Sequence, residues 1–193
     1  IQSIPLFQNA KTLNMGSGTW EISGVDGFWD IGSASNLTLN AETSTIKVTD
    51  TSGSERIFYG DGETYYNFWS DAGISTGDLK IDGSNTFNDF KDTGTAAHNI
   101  LFTNGTTQTV STFNVSGTLG NLITLNSDND GDTFALVKTG GGTISSDYLN
   151  IQHSVATPAD TWYAGLNSTD NQANATAGSG WIFTVPPVVV EES

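Results

Sequence analysis

Residues 126–134, NSDNDGDTF, place oxygen-bearing side chains at alternate positions, Asn126, Asp128 and Asp130, followed by Gly131 and Asp132. Alternate oxygen donors closed by a glycine at the sixth position suit a calcium loop, because a hard cation takes several oxygens and the chain must turn sharply around it. Asn126, Asp128, Asp130 and Asp132 are therefore the candidate metal ligands, and calcium is the one candidate cofactor. The twelfth position, where a helix-loop-helix calcium site carries a bidentate Glu, is Val137, and the flanks read as strands, so the loop is not of that kind. The competing reading is a solvated corner in which Asp and Asn simply make turns.

Paired carboxylates hydrolyse glycosides when one is held protonated and the other ionised across a cleft. Asp78, Asp82, Asp89 and Asp92 fall on neighbouring apolar segments and are the candidates for such a pair. Most of the aspartates stand beside Gly, Ser or Thr, as turn residues do, and a lyase would need a basic proton acceptor where Arg56 is the sole arginine. A polysaccharide-degrading enzyme is thus the third reading, and no catalytic residue is assigned. His98 and His153 have no second His or carboxylate at ligand spacing, which argues against zinc and for polar strand-edge roles. The chain has no Cys, so neither disulfides nor thiolate chemistry is available.

Four aromatic doublets remain: Phe28-Trp29, Phe58-Tyr59, Tyr65-Tyr66 and Phe68-Trp69. Adjacent strand residues point to opposite faces, so each doublet should put one ring in the core and one outside. Trp29, Tyr65 and Trp69 are taken as the outward rings, available either to a neighbouring subunit or to the faces of sugars.

The elements that must position these residues are short strands. No window offers the helical period free of Gly and turn formers; instead beads such as TWEI, LTL, TIKV, DLKI, NILF and LITL alternate with Gly, Asn, Asp and Ser. Ile81, Phe102 and Leu125 end similar beads 21 and 23 residues apart, and Phe90, Phe113 and Leu136 form a second column with two steps of 23. Repetition in the low twenties carried by short strands predicts a coiled parallel sheet, whose turns stack and bury their inward side chains in ladders. A β-sandwich is the alternative, but it does not generate matching columns one turn apart. Asn and Gly at the corners tolerate left-handed backbone, and stacked Asn can bond to its counterpart in the next turn.

The segments NGTTQTVSTFNVSGTLGNLITLNS, DYLNIQHS, TWYAGLNSTDNQ and SGWIF follow one another in an order that resembles a β-solenoid module of bacteriophage virion proteins and bacterial extracellular proteins. The resemblance covers residues 79–183. It implies a right-handed parallel β-helix of the pectate-lyase-like kind on a virion or cell exterior, without enzymatic activity. The chain then divides into an aromatic-rich β region at 1–78 belonging to the same solenoid, the module at 79–184, and an extended tail or linker at 185–193.

With 6 Lys+Arg against 21 Asp+Glu the net charge is −15, which repels a phosphate backbone, and no apolar run is as long as a membrane span. Neither nucleic acid nor membrane insertion is expected. Together these features lead us to expect a non-enzymatic structural protein of a bacteriophage exterior, such as a capsid decoration, spike or fibre module. It would assemble as a homo-oligomer, a trimer above other states, alongside other virion proteins. The alternative is an extracellular adhesin that docks host surface glycans through Trp29, Tyr65 and Trp69.

Overall fold

The structure, a computed structural model, describes residues 10–31, 36–129, 131–171 and 179–188. Among these residues there is no helix. One seven-stranded sheet contains β3 (Asp26–Asp30), β6 (Arg56–Tyr59), β8 (Leu79–Asp82), β10 (His98–Phe102), β12 (Ile123–Ser127), β15 (Leu149–Ile151) and β18 (Thr169–Asp170). A second contains β2 (Thr19–Ile22), β5 (Thr45–Val48), β7 (Thr64–Ser70), β9 (Thr86–Asp92), β11 (Thr107–Val115), β13 (Phe134–Lys138) and β16 (Ser154–Thr157). Two smaller sheets pair β1 (Lys11–Asn14) with β4 (Leu37–Asn40), and β14 (Ile144–Ser145) with β17 (Trp162–Tyr163) and β19 (Trp181–Ile182). Within each large sheet every strand pairs parallel with the strand one turn away, which makes the molecule a β-solenoid of about 7 turns.

Strand alternation decides what the interior contains. Phe102, Phe113, Leu125 and Leu136 all point inward, none more than 2% exposed. Phe68, Phe90 and Phe113 share one column, with ring centroids 5.0 and 5.5 Å apart and planes within 23° and 13° of parallel. Trp162 and then Trp181 continue that spine at 5.7 and 5.1 Å. The sheets run without a break across residues 78 and 79, since β6 pairs with β8 and β7 with β9.

The two columns inferred from spacing hold for one step and then shift. Ile81 does stand beside Phe102, but the next residue in that column is Ser127, while Leu125 lies beside Ile100. The turn length changes from 102 − 81 = 21 to 127 − 102 = 25, because extra residues go into the corners. Phe90 stands beside Phe113, whereas Leu136 lies beside Gln108. The nine-residue β11 pairs with β13 only through its first half, residues 107–110.

Polar groups at outward positions bond along the axis. Asn40 Nδ2 donates to Asn14 Oδ1 at 2.7 Å between paired positions, and Asn88 Nδ2 to Asn67 Oδ1 at 3.2 Å. Corners adopt left-handed backbone where Asn, Asp or Gly stands, as at Asn36 (φ 68°) and Asp61 (φ 53°). After β13 the corner is held by Lys138, whose ammonium donates to the carbonyls of Thr139, Gly140 and Gly141 at 3.1, 3.4 and 2.7 Å.

Since Phe113 is buried between the rings of Phe90 and Trp162, Phe113→Ala should cost about 3–5 kcal/mol by lost burial plus cavity. Chemical denaturation measures this, and a loss below about 1 kcal/mol, well under that range, would mean the ring is not a spine residue.

Candidate functional site

The acidic loop leaves β12 and carries Asn126, Asp128 and Asp132; Asp130 lies outside the described residues. Each described member already serves a protein partner. Asn126 Oδ1 accepts from the Ser127 amide at 2.8 Å and lies 2.7 Å from His153 Nδ1. Asp128 Oδ1 accepts from the Asn104 amide at 2.8 Å, and its Oδ2 lies 2.8 Å from the Lys80 ammonium. Asp132 Oδ2 accepts from the side-chain amides of Asn129 and Asn104 at 2.8 and 3.3 Å. Among the described residues no three His, Asp or Glu side chains are grouped so as to hold a metal ion. A calcium ion bound through Asp128 would compete with the Lys80 ammonium for that carboxylate.

Three of the four aspartates considered for acid–base work are rungs between turns. Asp78 accepts from Asn99 Nδ2 at 2.9 Å, Asp82 from Thr103 Oγ1 at 2.7 Å, and Asp89 from Asn114 Nδ2 at 2.7 Å and from Thr112 Oγ1. Each of these donors belongs to the following turn. Asp92 is buried at the end of β9.

The doublets divide between core and surface differently from expectation. Trp29 and Tyr65 are corrected from outward to inward, at 5% and 2% exposure. At Phe28-Trp29 both rings are inside, because the β3–β6 register shifts between Gly27 and Trp29 and the extra residue breaks the alternation. Trp29 stacks on Phe58 at 6.3 Å, and its Nε1 donates to Tyr65 Oη at 3.1 Å. Tyr65 in turn donates to the Gly60 carbonyl at 2.9 Å, and burial pushes its hydroxyl pKa well up. At Tyr65-Tyr66 the alternation holds with the opposite phase, so Tyr66 is the outward ring.

Trp69 does face outward, and it is the centre of the candidate interface. It lies in register with Lys47 of the preceding turn and Lys91 of the following one, and each ammonium sits 4.3 Å from the indole ring centroid. Lys47 pairs with Asp71 at 2.8 Å. Asp71 also accepts from Thr93 Oγ1 at 2.9 Å, and Trp69 Nε1 donates to that hydroxyl at 2.8 Å. The Lys47 ammonium bonded to Asp71 holds this carboxyl below its ordinary range, and the carboxylate raises the lysine in return. The result is a rigid, cation-flanked ring on the outer face of the second large sheet.

A second arrangement escaped the spacing argument. His98 and His153 are both buried at 5%, not at strand edges, and His98 Nε2 lies 3.3 Å from Asp92 Oδ2, six residues earlier across a corner. Arg56, 0% exposed, donates to Gly77 at the corner one turn earlier. The spacing of Lys47, Trp69 and Lys91 was visible, two steps of 22 residues within the period already found; the corner-spanning His98 pair offered no periodic signal. No family model matches the chain, and neither a curated protein nor a solved structure matches it.

Burial would raise the Asp128 carboxyl, but the Lys80 ammonium and the Asn104 amide more than offset it and hold the pKa below the ordinary value. Lys80→Met should therefore move the Asp128 pKa upward, as a carboxyl-detected NMR titration would show. An unmoved titration would mean that Lys80 is not its counter-ion.

Proposed function

We propose that this chain is a non-enzymatic structural module of a bacteriophage exterior, a capsid decoration, spike or fibre element, that works as a rigid rod within a homotrimer. The observation that carries the structural part of this reading is the engagement of the outward carboxylates. Asp78, Asp82 and Asp89, which could have lined a cleft, instead accept hydrogen bonds from the next turn and brace the solenoid. The bacteriophage part rests on the resemblance of residues 79–183, and with it the pectate-lyase-like handedness of the coil.

Association through the Trp69 face is supported by charge. Two of the chain's six basic residues flank one ring on a molecule carrying 21 acidic ones, so a second copy offers complementary groups to this patch. A glycan-docking reading has less to work with here, because both ammonium groups lie over the indole that a sugar would need.

Sedimentation and native mass measurement should find a homotrimer. Trp69→Ser should shift it toward monomer with its β-rich circular dichroism intact, whereas Trp29→Ala should cost about 3–5 kcal/mol of stability, as loss of a core ring does. A monomeric wild-type protein that binds a glycan array would replace this reading with the adhesin.

A further inference from the structure

The interior of a solenoid is normally apolar, and a cluster of three ionisable groups inside it requires a reason. Arg56 opens β6, Asp92 closes β9 and His98 opens β10, each at most 5% exposed. Arg56 Nη2 donates to the Gly77 carbonyl at 2.7 Å and Nη1 to Ser70 Oγ at 3.4 Å. Asp92 Oδ1 accepts from the Gly94 amide at 2.8 Å, while Oδ2 faces His98 Nε2. His98 Nδ1 lies 2.9 Å from the Ala96 carbonyl.

Both imidazole nitrogens thus face groups that accept. A carbonyl cannot donate, so Nδ1 must carry a proton; an ionised carboxylate cannot donate either, so Nε2 must carry one too. Only the imidazolium satisfies both contacts. Asp92 also accepts the Gly94 amide and interacts electrostatically with Arg56. A neutral His98 with its hydrogen on Nδ1 would turn a lone pair toward a buried carboxylate oxygen.

The corners that the cluster touches, at Gly77, Gly94 and Ala96, are themselves tightly joined. Gly77, held by Arg56, has no room for a side chain, since a Cβ would collide with the Ser54 backbone, and a Cβ on Gly94 would come within 2.7 Å of the His98 ring. The Thr95 amide donates to the Gly73 carbonyl at 2.7 Å, and Ser75 Oγ donates to the Ser52 carbonyl, so three successive corners are joined. The middle one presents Ile74, 79% exposed, to solvent.

We infer that Arg56, Asp92 and His98 form a proton-operated clamp, which locks the corners at residues 50–55, 72–77 and 93–97 while His98 is an imidazolium and loosens them when it becomes neutral. The charged groups acting on the ring are Asp92 from β9 and Arg56 from β6, with Asp50 and Asp78 acting on Arg56. The next corner, residues 116–122, contains no ionisable side chain. Burial and Arg56 press the His98 pKa down, but Asp92 and the Ala96 carbonyl outweigh them, and the net direction is upward. A group whose folded pKa is raised contributes stability that is complete below its unfolded value and is lost as pH rises through the folded value. The clamp is therefore closed in mild acid and opens on the alkaline side of the ordinary histidine range.

The experiment is an NMR titration of both imidazoles in the intact protein, with amide protection factors of Gly94 and Thr95 corrected for intrinsic exchange at each pH. His98 should titrate above the ordinary value of about 6.5, and protection should fall across that titration by about tenfold per unit of displacement. His98→Gln, whose amide donates to Asp92 at every pH, should flatten the profile, while His153→Gln should keep it. An ordinary or depressed His98 pKa, or protection that ignores its titration, overturns the clamp from the wild-type protein alone. A folded His98→Gln protein that retains the full pH profile overturns it as well.

Discussion

A parallel ladder gives every side chain the same two neighbours along the axis, the residues at its own position in the turn before and the turn after. The rest of this molecule follows from that restriction. Phe90 is stable inside because Phe68 and Phe113 occupy the adjacent places, and Trp69 is held outside because Lys47 and Lys91 do. A residue that matches its column gains both contacts at once; a residue that does not match disturbs two turns.

The restriction also explains how a chain with net charge −15 keeps its acids close together. Stacked carboxylates would repel, so the outer columns alternate acceptor with donor: Asp78 meets Asn99, Asp82 meets Thr103, and Asp89 meets Thr112. Neutral Asn and Thr dilute the charge while completing the hydrogen bonds. The few cations are placed where two turns need them, Lys47 at Asp71 and Lys80 at Asp128.

Much of this was legible in the sequence. Short beads, matching columns and Asn at corners sufficed for an all-β coiled parallel sheet, and Phe102, Phe113, Leu125 and Leu136 were correctly placed inside. Exact register was not legible, because corners absorb variable numbers of residues and a constant step misaligns Leu125 and Leu136. With Trp69 taken as outward, alternation placed Phe68 in the core, where it lies, but it could not give the phase at Tyr65-Tyr66, nor foresee that the bulge beside Trp29 would turn two consecutive rings inward. The Asp92–His98 contact depends on how a corner folds back, which periodicity does not encode.

The Lys138 corner has a consequence for how such a chain can change over generations. Its backbone carbonyls at 139–141 are satisfied locally by one ammonium, so that corner asks little of its neighbours. A duplication or deletion that begins and ends within corners of this sort adds or removes a complete coil and leaves every remaining column in phase. The same event cut inside a strand by a single codon would turn each following inward residue of that strand to the outside. The coil, rather than the residue, is the unit in which this rod can be lengthened or shortened.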